Sequence, residues 1–146
     1  MDIAGGGERF RIESRLGSGS FGEVYKAIGT TTGTEVAVKM APEHKVHDPA
    51  TLAVRTVLNE ARIGMMKVNH PNVVSVLHVD TGSDPSVGPY LIMEYVSGGN
   101  LHELLDAGRR TSKSFSLEDA VSVMHKIAEG AKAINEYIVH RDVKPR

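Results

Sequence analysis

Gly17-Ser18-Gly19-Ser20-Phe21-Gly22-Glu23-Val24-Tyr25-Lys26-Ala27 is the stretch on which the fold turns. Its G-x-G-x-x-G pattern is weak alone, because glycine-rich turns join strands in many unrelated proteins. The residues after the third glycine discriminate. In a dinucleotide-binding unit Gly22 would open a helix, whereas the alternation from Glu23 to Ala27 suits a strand. The stretch therefore predicts a hairpin with a glycine tip. Such a tip can bring backbone N–H groups close to phosphate oxygens, since no side chain stands between main chain and ligand. The plainer reading is a flexible turn.

Outward from this hairpin the strand period continues. Arg9 to Leu16 (R-F-R-I-E-S-R-L) precedes it, and Glu35 to Met40 (E-V-A-V-K-M) comes after a T-T-T-G-T turn. These connections are too short for parallel crossovers, so three antiparallel strands are expected over 9–40, with 1–8 as a tail. Asp48-Pro49 then offers an N-cap and a first-turn proline. Val54, Val57, Leu58, Ala61, Met65 and Val68 recur at helical steps on one apolar stripe, which ends at His70-Pro71-Asn72. Two further strands are expected at Val73–Val79 and Tyr90–Tyr95.

After Ser97-Gly98-Gly99 only helix signals remain. Asn100 can cap a short helix to about Arg109, and Ser116 with Asp119 resembles a capping box opening a long one to about Tyr137. On the long helix Val121, Met124, Ile127, Ala128, Ala131 and Ile134 share a face that wants a partner. The predicted class is α+β: a five-stranded antiparallel sheet plus one helix in 9–96, then the first helices of a helical lobe in 97–146.

Composition excludes several alternatives. A chain of 146 residues, 40% apolar and 24% charged, has room for one ordinary soluble domain. The absence of cysteine rules out disulfides, a thiolate zinc site and a cysteine nucleophile. Seventeen basic against eighteen acidic side chains leave a net charge of −1, with no global field to attract nucleic acid or an anionic membrane. The amino terminus lacks the pattern of a signal peptide, and the run Val73–Val79 falls far short of the ~20 apolar residues that span a bilayer. His44 and His47 form an H-x-x-H pair without a supporting acid cluster, and Arg109, Arg110 and Lys113 a small basic group; both read as solvated loops.

Two further signals carry chemistry. Lys39, in Val36-Ala37-Val38-Lys39, is a strand-borne lysine whose ammonium could sit over a polyphosphate if held by an acid. Glu60 is the only acid on the helix from Ala50 to Val68; an exposed lysine and a solvated glutamate are the plain readings. The third signal, Val139-His140-Arg141-Asp142-Val143-Lys144-Pro145-Arg146, is the most specific. The glycine loop, V-A-V-K, the helix glutamate, His70-Pro71-Asn72, L-I-M-E-Y-V and H-R-D-V-K-P stand in the order of the eukaryotic-type serine/threonine protein kinase family, and the chain resembles that family from Phe10 to Arg146.

The resemblance implies that Gly17, Gly19 and Gly22 cover ATP phosphates, while Lys39, paired with Glu60, contacts the α and β groups. It implies an adenine pocket lined by Leu16, Val24 and Ala37, with Met93 behind it and Glu94 to Val96 as the hinge that meets the adenine edge. Asp142 would accept the substrate hydroxyl's proton, and Lys144 would steady the transferring phosphoryl group, a spacing similar to the serine/threonine class. Arg141 would meet a phosphorylated activation loop, and His140 would be a structural core residue. The interval from Glu60 to His70 is one residue longer than the family pattern, and Gly64 inside the helix suits a local irregularity.

The family uses Mg2+ as well as ATP, and its pattern places the metal-binding asparagine and the Asp-Phe-Gly motif beyond Arg146. These residues alone are therefore expected to be an incomplete kinase, inactive by themselves. The implied partners are ATP and a protein substrate with Ser or Thr, in the cytoplasm. The alternative is a naturally truncated, kinase-like binding module that docks on another kinase and regulates it.

Overall fold

The computed structural model describes residues 1–19, 22–41, 68–110 and 116–137, together with Val54, Val57 and Asn59. The chain divides into two compact units, one of residues 1–67 and 74–95, the other of 68–73 and 96–146.

The first unit is an antiparallel sheet of six strands: β1 Asp2–Gly5, β2 Glu8–Gly19, β3 Gly22–Gly29, β4 Glu35–Met40, β5 Val76–Asp80 and β6 Tyr90–Glu94. Their order is β1-β2-β3-β4-β6-β5. The expectation of five strands is corrected by one, because the stretch read as a tail forms β1. Gly5 pairs with Glu8, leaving Gly6 and Gly7 as a two-residue turn with φ of 59° and 85°. Positive φ at both central residues is what a type I′ hairpin needs, and two glycines adopt it without a steric penalty.

β1 is more than a sheet edge. Ile3 is buried, and the Tyr90 hydroxyl donates to the Ala4 carbonyl at 2.6 Å. A Cβ built on Gly5 would lie 2.5 Å from Ile92 Cδ1 and 2.8 Å from His78 Cδ2. The first strand thus reaches β5 and β6, strands at the far side of the sheet order, so the sheet curls and encloses one face. That face carries the core: Ile3, Phe10, Ala27, Val36, Val38, Met40, Tyr90 and Ile92. Alternation with period two accounts for this, since Val36, Val38 and Met40 point one way while Ala37 and Lys39 point the other.

The turn between β3 and β4 is tied to the first hairpin. The Glu8 carboxylate accepts from the N–H groups of Thr31 and Thr32 at 2.9 and 2.7 Å and from the Thr32 hydroxyl at 3.0 Å. Of the helix expected after Asp48, the described residues Val54, Val57 and Asn59 are helical, and both valines are buried. The remainder of that helix, with Glu60, lies outside the described residues.

The second unit contains α1, Leu101–Arg110, and α2, Leu117–Asn135. Both start as the sequence predicts. Asn100 and Glu103 exchange hydrogen bonds, each side chain accepting from the other's N–H, at 2.9 and 3.2 Å. Ser116 caps α2 by accepting from the Asp119 N–H at 3.0 Å. The His70-Pro71-Asn72 turn packs on α2. The Asn72 side chain donates to Glu129 at 3.3 Å, and a Cβ on Gly130 would meet the Asn72 carbonyl oxygen at 2.6 Å. Glycine within a helix marks such a close approach.

Candidate functional site

The face of the sheet turned away from the core collects the chemistry-bearing positions. Residues directly paired across antiparallel strands project to the same side. Gly17 pairs with Val24, Val24 with Lys39, and Lys39 with Leu91, which makes one row across four strands. The neighbouring row runs from Lys26 through Ala37 to Met93. A primary amine therefore stands beside small and branched apolar side chains, with Gly17, the first glycine of the hairpin, in the same row.

Burial grades along this face. Leu91 is 2% and Ala37 7% exposed, while Val24, Lys39 and Met93 are half-buried. A Cβ built on Gly17 would meet nothing within 4 Å, so open space lies against the main chain there. Gly22 is enclosed instead: its φ is 121°, and a Cβ would come 2.8 Å from the Met40 carbonyl oxygen and 3.6 Å from Val57 Cγ2. Gly22 serves packing, holding the hairpin close to β4 and to the helix that carries Val57.

Gly19 pairs with Gly22 as the last rung before the tip, and Ser20 and Phe21 at the tip lie outside the described residues. The register slips between Arg15 and Gly17, leaving Leu16 as the extra residue of a bulge, with 46% of its surface exposed. A bulge re-aims a side chain and strengthens the local twist. It has no clear signature in the R-L-G sequence.

At the end of β6, Glu94 donates its N–H to the Ser75 carbonyl at 3.0 Å, so this backbone donor is already engaged. Tyr95 is the last residue of the first unit, and Val96, 59% exposed, belongs to the second. Asp142, Lys144, His140, Arg141 and Glu60 lie outside the described residues, as do His44 and His47. Sequence reasoning missed Leu91, which borders Lys39 in the ladder, although the period-two alternation of L-I-M-E assigns Leu91 and Met93 to one side. Among the described residues no group of three or more His, Asp or Glu side chains is arranged to hold a metal ion. No helix among them is long and apolar enough to cross a membrane.

Comparison with known proteins matches this architecture. A family model for the protein kinase domain covers residues 10–146. The chain is 37% identical over 142 residues to a probable serine/threonine-protein kinase of Streptomyces coelicolor, covering 95% of this chain and 20% of that protein. It is 33% identical over 144 residues to the serine/threonine-protein kinase SSK22 of Saccharomyces cerevisiae, covering 94% and 10%. It is also 36% identical over 140 residues to the tyrosine-protein kinase Abl of Drosophila melanogaster, covering 92% and 8%. The curled sheet and its glycine hairpin are those of a protein kinase small lobe. The chain belongs to the protein kinase family, and it spans between 8% and 20% of the length of these three relatives.

Proposed function

We propose that the protein is an ATP-dependent protein kinase that transfers the γ-phosphoryl group of ATP to serine or threonine hydroxyls of protein substrates. The observation that carries this reading is the shared row of Gly17, Val24 and Lys39, with Ala37 and Met93 in the next row. The row fits a nucleotide chemically. Val24 and Ala37 offer an apolar surface to a base, with Leu16 beside them and Met93 behind. Open space at Gly17 admits phosphate oxygens to the main chain, and the Lys39 ammonium offsets phosphate charge.

In this mechanism the residues mainly position and neutralise. Lys39 holds the α and β phosphates, Gly17, Gly19 and Gly22 cover them, and Glu60 orients Lys39. Glu94 to Val96 meet the base edge. Asp142 accepts the proton of the attacking hydroxyl as the new oxygen–phosphorus bond forms and the bond to the β-phosphate oxygen breaks, while Lys144 steadies the phosphoryl group. Magnesium, when bound, would supply charge neutralisation on the phosphate oxygens. The position of Lys144, two residues after Asp142, supports the serine/threonine class, as do the names of most of the relatives. Dependence on ATP supports a cytoplasmic setting.

Transfer of radiolabelled phosphate from ATP to Ser, Thr and Tyr peptides by the intact protein tests the reading. Labelling of Ser or Thr peptides, abolished by Lys39→Met, is expected; no transfer to any peptide overturns it. The polypeptide of residues 1–146 by itself is expected to show little or no transfer, and family-like turnover from it would refute that part.

A second reading, a kinase-like module that docks on another kinase, is favoured by one feature. Leu117, Val121 and Met124 of α2 are 82%, 60% and 61% exposed. Exposed apolar side chains in a group mark interaction surfaces. A well-behaved monomer in size-exclusion chromatography would count against it.

A further inference from the structure

Lys26 is a second cation on the site face, one step diagonally from Lys39, because Val24 pairs with Lys39 and Lys26 with Ala37. Left alone it would compete with Lys39 for phosphate charge. Its ammonium is instead drawn to the opposite end of the face. It forms an ion pair with Glu35, the first residue of β4, and stands 4.9 Å from the centroid of the Tyr95 ring. Glu35 and Tyr95 are brought to that end together by the register, since the next residues inward, Val36 and Glu94, are paired. The hydrogen bond and charge of the Glu35 carboxylate raise the Lys26 pKa above its ordinary value.

Resting on the proposed nucleotide site, we propose that Lys26 is a positioning residue for the base-binding segment: bridging Glu35 and the Tyr95 ring, it anchors Glu94 and Tyr95 against the sheet. The chemistry is particular to this arrangement. A cation over an aromatic face is attracted by the ring's quadrupole, and the carboxylate on its other side fixes where the cation sits. Tyr95 directly succeeds β6, so holding its ring holds the backbone that leaves the sheet. The stem of Lys26 lies beside Ala37, in the row that runs on to Met93, and its side chain is only 22% exposed. The pair thus borders the surface assigned to the base, at the side remote from Lys39.

Steady-state phosphorylation kinetics of the intact protein test this. Lys26→Met keeps the stem and removes the charge. It is expected to raise KM for ATP about three- to tenfold, with kcat within about twofold and KM for the peptide substrate unchanged. Lys26→Arg restores KM to within about twofold of the parent, because a guanidinium also stacks on an aromatic ring and pairs with a carboxylate. Tyr95→Leu reproduces the Lys26→Met effect, and the double variant is no worse than either single. Glu35→Gln, which acts through Lys26 and leaves the ring contact in place, gives a smaller rise in KM. An unchanged KM for ATP in Lys26→Met, an equal loss in kcat, or fully additive effects with Tyr95→Leu would overturn the inference. If the parent protein transfers no phosphate, the proposed function falls first; if it does and Lys26→Met is silent, only this inference falls.

Discussion

Val24 lies directly across the β3–β4 ladder from Lys39. One strand therefore delivers an apolar contact, and its neighbour a cation, to the same row of the same face. A nucleotide offers a flat apolar base and a polyanion joined by a sugar, so a receptor for it needs both kinds of contact on one surface. The pairing is a property of strand register: a slip of one residue would send Lys39 into the core face, where Val36 and Val38 pack.

Lys39→Met in the intact protein is expected to lower kcat/KM for phosphoryl transfer by about 100-fold or more, the range seen when a preorganised electrostatic contact is removed. Radiolabel transfer measures it, with thermal unfolding in parallel to separate lost chemistry from lost fold. Wild-type transfer by a folded variant would remove Lys39 from the mechanism.

Gly22→Ala is expected to destabilise the protein by about 1–3 kcal/mol, since φ at this position is 121° and the added methyl would press on the Met40 carbonyl oxygen. Gly17→Ala, with open space around the new methyl, should cost far less stability. Urea unfolding of the two variants side by side is the measurement, and equal midpoints would contradict the packing role assigned to Gly22.

Ile3→Ala is expected to cost about 2–5 kcal/mol, toward the low end because β1 is short and at the edge. Tyr90→Phe, which removes the hydroxyl bond to the Ala4 carbonyl, should cost about 0.5–1.5 kcal/mol. If both variants unfold like the parent protein, residues 1–8 behave as a tail after all.

Glu8 supplies a pH-dependent term. Hydrogen bonds led by the Thr32 N–H, with those of Thr31 and the Thr32 hydroxyl, outweigh partial desolvation and hold its carboxyl below the ordinary range. A folded-state pKa below the unfolded one gives stability that is complete above the ordinary carboxylate value of about 4.3 and is lost as pH falls through and below it. Glu8→Gln should be less stable than the parent at pH 7, with the gap closing on acidification. Urea midpoints from pH 7 to pH 3 check this; parallel curves would show that the turn clamp carries no charge dependence.

Much of the fold was legible in local chemistry. The three strands over 9–40, the two later ones and both helix starts emerge from alternation and capping side chains, because those signals act between residues close in sequence. The Lys26–Glu35–Tyr95 arrangement was not legible, since a lysine in an alternating strand looks the same whether it faces water or a ring that lies far along the chain. The same holds for the bulge at Leu16, which depends on where Tyr25 and Val24 fall across the ladder.

The chain's order of residues by itself determined the family, the sheet's antiparallel sense and the choice of Lys39 and the glycine hairpin as candidates, because motif order and period are one-dimensional properties. Only the tertiary structure decided that Asp2–Gly5 is a sixth strand. A stretch holding one large apolar residue has too little periodicity to announce itself, and it becomes a strand because the curled sheet leaves a place for Ile3 beside Phe10 and Ile92. Tertiary structure likewise decided that Gly22 serves close packing while Gly17 faces open space, for the distance from a glycine to its neighbours is set by chains that meet it from elsewhere in the sequence.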